Sequence, residues 1–296
     1  MTVSTAPVIL RAPLLLLFFL FFLFREADVS GFQSAQSAQS AQTAQSARTS
    51  ALGGAGHAGP LFTDALYLNP SFIPMLPVRA LSLVTSLPGP ETGSNPTISL
   101  QDGTRDVLVP WGVGVTYGRE VSMLNIGAAT GISSRLAIGM SARYRAPNAT
   151  LASGVVEAAL SCSGIVSDGF RVSFTVDNLL EAGSGQDAYR EFILGTKLSL
   201  GSVLNLYVDP LWVPALAPAQ SEWGYEVGAE LPLFDLIFLR AGVFRNATLP
   251  MLAQRGEGFG VGLGVLAAQF SLDYAYSGVL RPDFSGVHRF GVNIYF

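Results

Sequence analysis

The side chains that most often perform catalysis or bind metals are scarce in this chain of 296 residues. It contains two histidines, His57 and His288, and one cysteine, Cys162. A nucleophilic enzyme needs a serine or cysteine within reach of a base, but no Gly-x-Ser-x-Gly motif occurs and neither histidine lies in a recognisable nucleophile motif. A single cysteine excludes an internal disulfide framework and multi-cysteine metal sites. We therefore expect no enzyme activity, no cofactor and no metal centre.

A glycine-rich run lies near the C-terminus, where glycine alternates with large apolar residues over 258–264. A phosphate-binding loop is excluded because the spacing is Gly-x-Gly-x-Gly-x-Gly and no lysine follows. Glycine at every second position leaves one face of a strand without side chains. That face could make room for another segment or for a ligand, or it could permit curvature.

The composition indicates contact with lipid. Charged residues make up 13% of the chain, against about 25% in a typical soluble domain, and the mean hydropathy is +0.41. With 17 Lys and Arg against 21 Asp and Glu, the net charge is −4. A nucleic-acid partner that needs a basic surface is therefore excluded.

The N-terminal region has the composition of an export signal followed by a spacer. Arg11 precedes an apolar run, 12–24, which is shorter than the roughly 20 residues of a spanning helix. We predict a signal peptide over residues 1–31, with an uncleaved signal anchor as the alternative. Repeats of Gln-Ser-Ala follow, and because such residues bury little apolar surface we predict a flexible spacer over residues 32–51.

From residue 79 onward the sequence alternates between apolar and small or polar residues, as in Trp111–Tyr117 and Leu136–Arg145. A period of two predicts β-strands, although alternation alone also describes a soluble antiparallel sandwich. Strands of about 9 to 11 residues suit a tilted bilayer crossing, and connections that alternate between short and long are typical of outer-membrane barrels. We predict an all-β, antiparallel transmembrane β-barrel over residues 79–296.

The number of strands follows from parity. Thirteen strands are clear, bacterial barrels have even numbers of strands, and a short strand at Thr97–Gln101 makes fourteen. Twelve is the alternative. The alternation turns charged residues of both signs inward, which indicates internal ion pairs: Arg143, Glu157, Arg171, Asp177, Lys197, Asp209, Glu226, Glu230, Arg240, Asp273 and Arg289. It also predicts outward interfacial aromatics: Trp111, Tyr117, Tyr144, Tyr274, Tyr276 and Tyr295.

The last strand ends in an aromatic residue. Phe290, Val292, Ile294 and Phe296 share one face, and this ending looks like the signal by which the barrel-assembly machinery recognises outer-membrane barrels. We therefore expect this machinery and outer-membrane lipid as partners. We place the protein in the outer membrane of a diderm bacterium, with both termini periplasmic.

A glycine-rich and then apolar segment precedes the first strand. Its Gly-Gly-Ala at 53–55 and its Asn-Pro-Ser at 69–71 resemble the N-terminal hatch of the FadL-type outer-membrane transporter superfamily, including relatives of the PorV and PorQ kind. Ser71 replaces the usual alanine, and the acidic stretch is reduced to Asp64. The resemblance implies a hatch in the lumen over residues 52–78; a surface turn is the alternative. It also implies gating residues: Gly53, Gly54, Asn69, Pro70 and Ser71.

Three functions are compatible with these features. The resemblance implies a FadL-like channel for hydrophobic small molecules. A partner-binding barrel involved in secretion or surface assembly is the second, with the apolar stretch Leu211–Leu216 as an exposed docking loop for a surface or secreted protein. A general porin is the third, and it requires an open lumen.

Overall fold

In the computed structural model, the segments that alternate between apolar and small or polar residues form the strands of one closed β-sheet. The structure describes residues 46–87, 96–118, 121–148, 154–179, 190–214, 221–234, 236–248, 255–281 and 285–296. The predicted signal peptide and most of the predicted spacer lie outside these residues. The described residues belong to one unit, Gln39–Phe296.

The described part of the chain contains fourteen strands and three short helical elements. The strands are β1 (Arg79–Leu87), β2 (Thr97–Asp102), β3 (Trp111–Tyr117), β4 (Val121–Gly131), β5 (Leu136–Pro147), β6 (Val155–Ser167), β7 (Phe170–Asp177), β8 (Glu191–Leu200), β9 (Leu204–Val213), β10 (Glu222–Leu233), β11 (Ile237–Thr248), β12 (Arg255–Leu266), β13 (Phe270–Arg281) and β14 (Ser285–Tyr295). The helical elements are α1 (Ala47–Ala51), α2 (Asp64–Leu68) and a 3₁₀ helix (Pro70–Met75).

Each strand pairs antiparallel with its neighbours in sequence, and β1 closes the barrel against β14. At the closure Ala80 lies opposite Tyr295 and Leu87 lies opposite His288. Because closure leaves no free strand edge, the backbone can be satisfied within a bilayer. The prediction of fourteen strands is confirmed, including the short strand that begins at Thr97.

Connections between β4 and β13 alternate in length as predicted. Short turns lie at the end where β14 finishes, at 132–135, 168–169, 201–203, 234–236 and 267–269. Longer connections lie at the opposite end, at 148–154, 178–190, 214–221 and 249–254. Three connections depart from this pattern: 103–110 is long on the short-turn side, and 118–120 and 282–284 are short on the other side.

The outer surface of the barrel is apolar. Large hydrophobic side chains project outward along the strands and remain exposed, among them Leu83, Ile98, Ile126, Met140, Leu160, Phe174, Leu194, Val208, Leu231, Leu239, Leu263, Leu272, Phe290 and Ile294. A belt of this size on a protein surface marks contact with another apolar phase. The outside of the barrel is therefore matched to lipid.

The outward placement predicted for Tyr295 is wrong. Its hydroxyl donates to Ser271 Oγ at 2.7 Å inside the barrel, and its ring stacks on Phe62 with centroids 3.9 Å apart. The physical reason is the pleat of the strand, because its neighbours Ile294 and Phe296 both face outward and successive side chains alternate.

Residues 46–78, called here the N-terminal segment, lie against the inner face of the strands. Helix α1 contacts β12 and β13, and the 3₁₀ helix contacts β4 and β5. Leu52 and Phe72 are fully buried. The segment is therefore packed against the wall of the barrel. None of the described helices is long and apolar enough to span a membrane.

The last residues assigned to the spacer form a helix. Residues 47–51, assigned to the spacer from their composition, form helix α1 and are buried. Ser46 caps this helix, and its hydroxyl accepts a hydrogen bond from the Thr49 amide at 3.0 Å. The small side chains that gave the stretch its spacer-like composition instead allow close approach to the barrel wall.

Candidate functional site

Wall glycines make room for the N-terminal segment. A Cβ atom on Gly260 would lie 1.9 Å from the Ser50 carbonyl oxygen, and one on Gly242 would lie 2.1 Å from the Leu52 carbonyl. On the next strand, Gly228 also faces Leu52. On β12, Gly260 and Gly262 therefore leave room for the N-terminal segment, whereas Gly258 and Gly264 face residues of the wall.

Two of the predicted gating residues turn the chain after α1. Gly53 and Gly54 have φ angles of +67° and +93°, values that favour glycine. A Cβ on Gly54 would lie 2.2 Å from Glu226 Oε1, and one on Gly53 would lie 2.8 Å from the Val243 amide nitrogen. Both positions therefore need glycine for conformation and for space.

Of the other three predicted gating residues, at 69–71, Asn69 and Ser71 attach the segment to β6. Asn69 Nδ2 donates to Ser163 Oγ at 2.8 Å and to the His57 carbonyl at 2.6 Å. The Ser71 amide donates to Ser161 Oγ at 3.1 Å, and the Ser71 and Ser163 hydroxyl oxygens are 2.5 Å apart. Pro70 starts the 3₁₀ helix at a position where no amide hydrogen is needed.

A buried charge network joins α1 to side chains on β9, β10, β11 and β13. Arg48 Nε lies 3.2 Å from Glu230 Oε2, and Arg48 Nη2 donates to the Tyr207 hydroxyl at 2.8 Å. Arg240 shares the same carboxylate at 2.8 Å and reaches Asp273 at 2.5 Å. Because buried charges are tolerated only when paired, this network fixes both the position and the orientation of α1.

Asp64 extends the network on the N-terminal segment itself. Its Oδ2 lies 3.9 Å from Arg48 Nη1 and accepts a hydrogen bond from Thr49 Oγ1 at 3.3 Å. Burial raises the pKa of the Asp64 carboxyl, and the Arg48 guanidinium offsets only part of this effect. For Arg48 the balance is reversed: burial disfavours the charge, but Glu230, Tyr207 and Asp64 together raise the pKa of the guanidinium.

A second cluster surrounds the glycine-rich turn. Asp209 Oδ2 on β9 accepts hydrogen bonds from the Gly56 and His57 amides at 2.7 and 2.9 Å and lies 3.0 Å from His57 Nδ1. Glu226 Oε2 on β10 is 3.9 Å from the same His57 nitrogen. Burial opposes protonation of His57, but the hydrogen bond and charge of Asp209 and the charge of Glu226 raise its pKa overall.

The remaining inward-facing charges differ in their surroundings. Arg143 contacts Glu157 at 3.3 Å and donates to Asp177, and these residues lie on β5, β6 and β7. Arg289 Nη1 donates to Ser50 Oγ at 2.6 Å. Lys197 Nζ lies 5.4 Å from the ring centroid of Tyr207. Arg171 lies directly across the β7–β8 ladder from Lys197.

The residues of the expected assembly signal lie on the outer face of β14 and at its end: Phe290, Val292, Ile294 and Phe296.

The exposed docking loop predicted at 211–216 is wrong at its described positions. Leu211 and Val213 belong to β9 and are buried inside the barrel. Trp212 faces outward and lies between Phe192 and Trp223, with ring centroids 5.1 and 5.9 Å away. Strand β9 extends to Val213, further than expected. Successive side chains of this apolar run therefore point alternately to the inner and the outer face of the barrel. Residues 215 and 216 lie outside the described residues.

Sequence reasoning missed the residues that connect the N-terminal segment to the wall. Arg48 lies in the predicted spacer, but it is the only formally charged residue between Asp28 and Asp64, and that isolation was a usable signal. The roles of Tyr207, Ser161 and Ser163 follow from contacts between residues far apart in sequence. No local pattern could have predicted them.

Comparisons with known proteins give likeness in structure but not in sequence. No family model matches the chain, and no curated protein matches its sequence. The CymD monoaromatic hydrocarbon channel superposes with a TM-score of 0.62 at 12% identity, covering 85% of this chain and 97% of its own. The Pseudomonas putida toluene transporter TodX gives 0.59 at 12% identity, covering 86% and 98%. The Acinetobacter baumannii outer membrane protein Omp33 gives 0.50 at 11% identity, covering 74% and 98%. At these identities the likeness establishes the barrel fold.

Proposed function

We propose that this protein is a FadL-like outer-membrane channel for hydrophobic small molecules, with the N-terminal segment as its hatch. The observation that carries the proposal is the position of this segment, which occupies the polar interior of a closed fourteen-strand barrel. A barrel of this size encloses space that must be filled or plugged to prevent leakage. The hatch closes the lumen, and its displacement opens a route.

The contacts between residues 69–71 of the N-terminal segment and β6 are weak enough to be broken. Asn69 and Ser71 hold β6 through neutral hydrogen bonds, each worth about 1 kcal/mol. The glycine face of β12 provides shape for α1 without interlocking side chains. The part of the hatch at 69–71 can therefore leave β6 without disturbing the strand pairing around it, while the buried ion pair of Arg48 with Glu230 keeps α1 attached to the wall.

The likeness to solved channels supports the class of cargo. CymD and TodX are described as a monoaromatic hydrocarbon channel and a toluene transporter, and we propose small aromatic hydrocarbons as the first compounds to test. The apolar outer belt supports placement in an outer membrane. We propose that both termini face the periplasm and that the barrel-assembly machinery recognises the last strand.

The two alternatives have less support. A general porin requires an open lumen, whereas the N-terminal segment contacts the inner face of this barrel. The partner-binding function suggested by relatives of the PorV and PorQ kind depended on the exposed loop at 211–216. Residues 211–213 of that loop belong instead to β9, and residue 214 directly follows the strand.

A reversible crosslink tests the hatch. Cysteines replacing Ser71 and Ser163, whose hydroxyl oxygens are 2.5 Å apart, would join the hatch to β6 on oxidation. The native Cys162 is changed to Ser in every variant to prevent mispairing. The matched control replaces Thr97 and Thr116, whose hydroxyl oxygens are 3.0 Å apart across β2 and β3, so that its disulfide joins wall to wall.

We expect oxidation to abolish toluene uptake by cells that carry the hatch crosslink and a reductant to restore it. Cells with the wall crosslink should take up toluene at the same rate in both states. Undiminished uptake through the oxidised hatch variant, with the disulfide verified by mass spectrometry, would contradict the proposal.

A further inference from the structure

We propose that His57, Asp209 and Glu226 form a binding site for a divalent transition metal of the Zn²⁺ type, which joins the N-terminal segment to the barrel wall. His57 lies in the glycine-rich turn of the segment, Asp209 on β9 and Glu226 on β10. One ligand therefore comes from the segment and two from the wall. This site is independent of any transported compound.

The three side chains already converge on one point. Their ligand atoms all lie within 4.8 Å of one another. His57 Nδ1 is 3.0 Å from Asp209 Oδ2 and 3.9 Å from Glu226 Oε2. Tetrahedral zinc with bonds of 2.0–2.1 Å places its ligand atoms about 3.4 Å apart, a value between these two distances. Small side-chain adjustments would therefore complete the coordination.

An unpartnered carboxylate oxygen points to a missing cation. Glu226 Oε2 is buried and has no hydrogen-bond partner among the described residues, and the side chain as a whole retains 10% exposure. An unsatisfied buried charge is costly. The nearby Arg255 contacts Glu191 at 3.4 Å and Glu222 at 3.6 Å. Asp209 and Glu226 both face the His57 imidazole, and Arg255, whose charge also acts on Glu226, makes no hydrogen bond to its Oε2. A divalent cation would therefore contact a carboxylate oxygen that has no hydrogen-bond partner among the described residues.

The surroundings hold the ligands in place. The Gly56 and His57 amides donate to Asp209 Oδ2, and the Thr196 amide donates to Asp209 Oδ1 at 3.2 Å. Such outer contacts orient metal-binding carboxylates. Gly54 lies directly against Glu226, where a Cβ would collide with Oε1. Metal binding through His57 Nδ1 uses the neutral imidazole, so a proton bound there is released as the metal enters.

The mixed donor set predicts the kind of metal. Imidazole with carboxylates suits Zn²⁺ and similar ions, whereas Ca²⁺ and Mg²⁺ prefer oxygen ligands alone. Three protein ligands leave one tetrahedral position for water. We therefore expect Zn²⁺ to bind and Ca²⁺ or Mg²⁺ in excess not to displace it.

Calorimetric titration of the chelator-treated chain, lacking only the predicted signal peptide and refolded in detergent, tests the site with ZnCl₂. We expect one Zn²⁺ per chain. Glu226→Gln and His57→Gln should each weaken binding at least tenfold. His288→Gln is the matched control, because His288 is exposed on the outer face, and it should bind as the unmodified chain does.

Thermal unfolding separates a metal site from a simple ion pair. Without metal, Glu226→Gln should unfold at about the same temperature as the unmodified chain, because Glu226 Oε2 has no hydrogen-bond partner among the described residues that the substitution could remove. With ZnCl₂ the unmodified chain should gain stability and Glu226→Gln should not. Absence of Zn²⁺ binding, an equal loss in His288→Gln, or displacement by Ca²⁺ would each overturn the proposal.

Discussion

Arg48 shows how one side chain determines where a helix lies. Its guanidinium contacts Glu230 on β10, Tyr207 on β9 and Asp64 within the N-terminal segment. All four side chains are buried. Removing one member of a buried ion pair leaves the other charge without compensation, and this typically costs about 3–5 kcal/mol. Arg240 also contacts Glu230 and would reduce that cost.

We predict that Arg48→Met destabilises the folded protein by about 2–4 kcal/mol, because Glu230 and Asp64 lose a buried partner. The free energy of unfolding, measured by urea titration of the refolded chain, checks this value. Arg281→Met is the matched control, because the Arg281 side chain is 77% exposed and pairs with Glu257 at the surface. An equal loss of stability in the two variants would show that the buried ion pair of Arg48 does not stabilise the fold.

At the scale of elements, α1 depends on the glycine face of β12. Strand β12 presents large apolar residues to the outside and glycine to the inside. Gly260 meets the carbonyl of Ser50, and Gly262 meets the side chain of Ala51. A side chain at either position would displace the helix, because the neighbouring atoms belong to backbone or to the short side chain of alanine.

We predict that Gly260→Ala dislodges α1, since the added Cβ would lie 1.9 Å from the Ser50 carbonyl oxygen. Trypsin should then cut after Arg48 at least several times faster than in the unmodified chain, as followed by mass spectrometry. Gly164→Ala is the matched control, because a Cβ there meets only ordinary contacts at 3.8 Å and beyond. Equal cleavage rates in the two variants would show that the glycine face does not position the helix.

The elements differ in how far the sequence predicts them. Strands such as β12 are predictable because alternation is a local property of neighbouring residues. Helix α1 was missed because its small residues resemble the preceding repeats, and its burial depends on residues up to 239 positions away, as in the Arg289–Ser50 contact. The candidate metal ligands show the same limit: His57 is visible as a rare histidine, but its proximity to Asp209 and Glu226 follows only from barrel closure.

At the scale of the whole molecule, the outer and inner faces of the barrel differ in polarity. Apolar side chains face outward and charged side chains face inward. Within the barrel, Arg48 of the N-terminal segment pairs with Glu230 of the wall, and Arg143 pairs with Glu157. The proposed closure of the lumen by the N-terminal segment can be tested without knowledge of the transported compound.

Single-channel conductance in planar bilayers tests this claim most directly. We compare the chain from residue 32 onward with a variant that also lacks residues 32–72, after circular dichroism has verified that both are folded barrels. We predict that the longer chain is silent and that the shortened one conducts, because its lumen is no longer filled. Equal conductance of the two, or silence of both, would contradict the account.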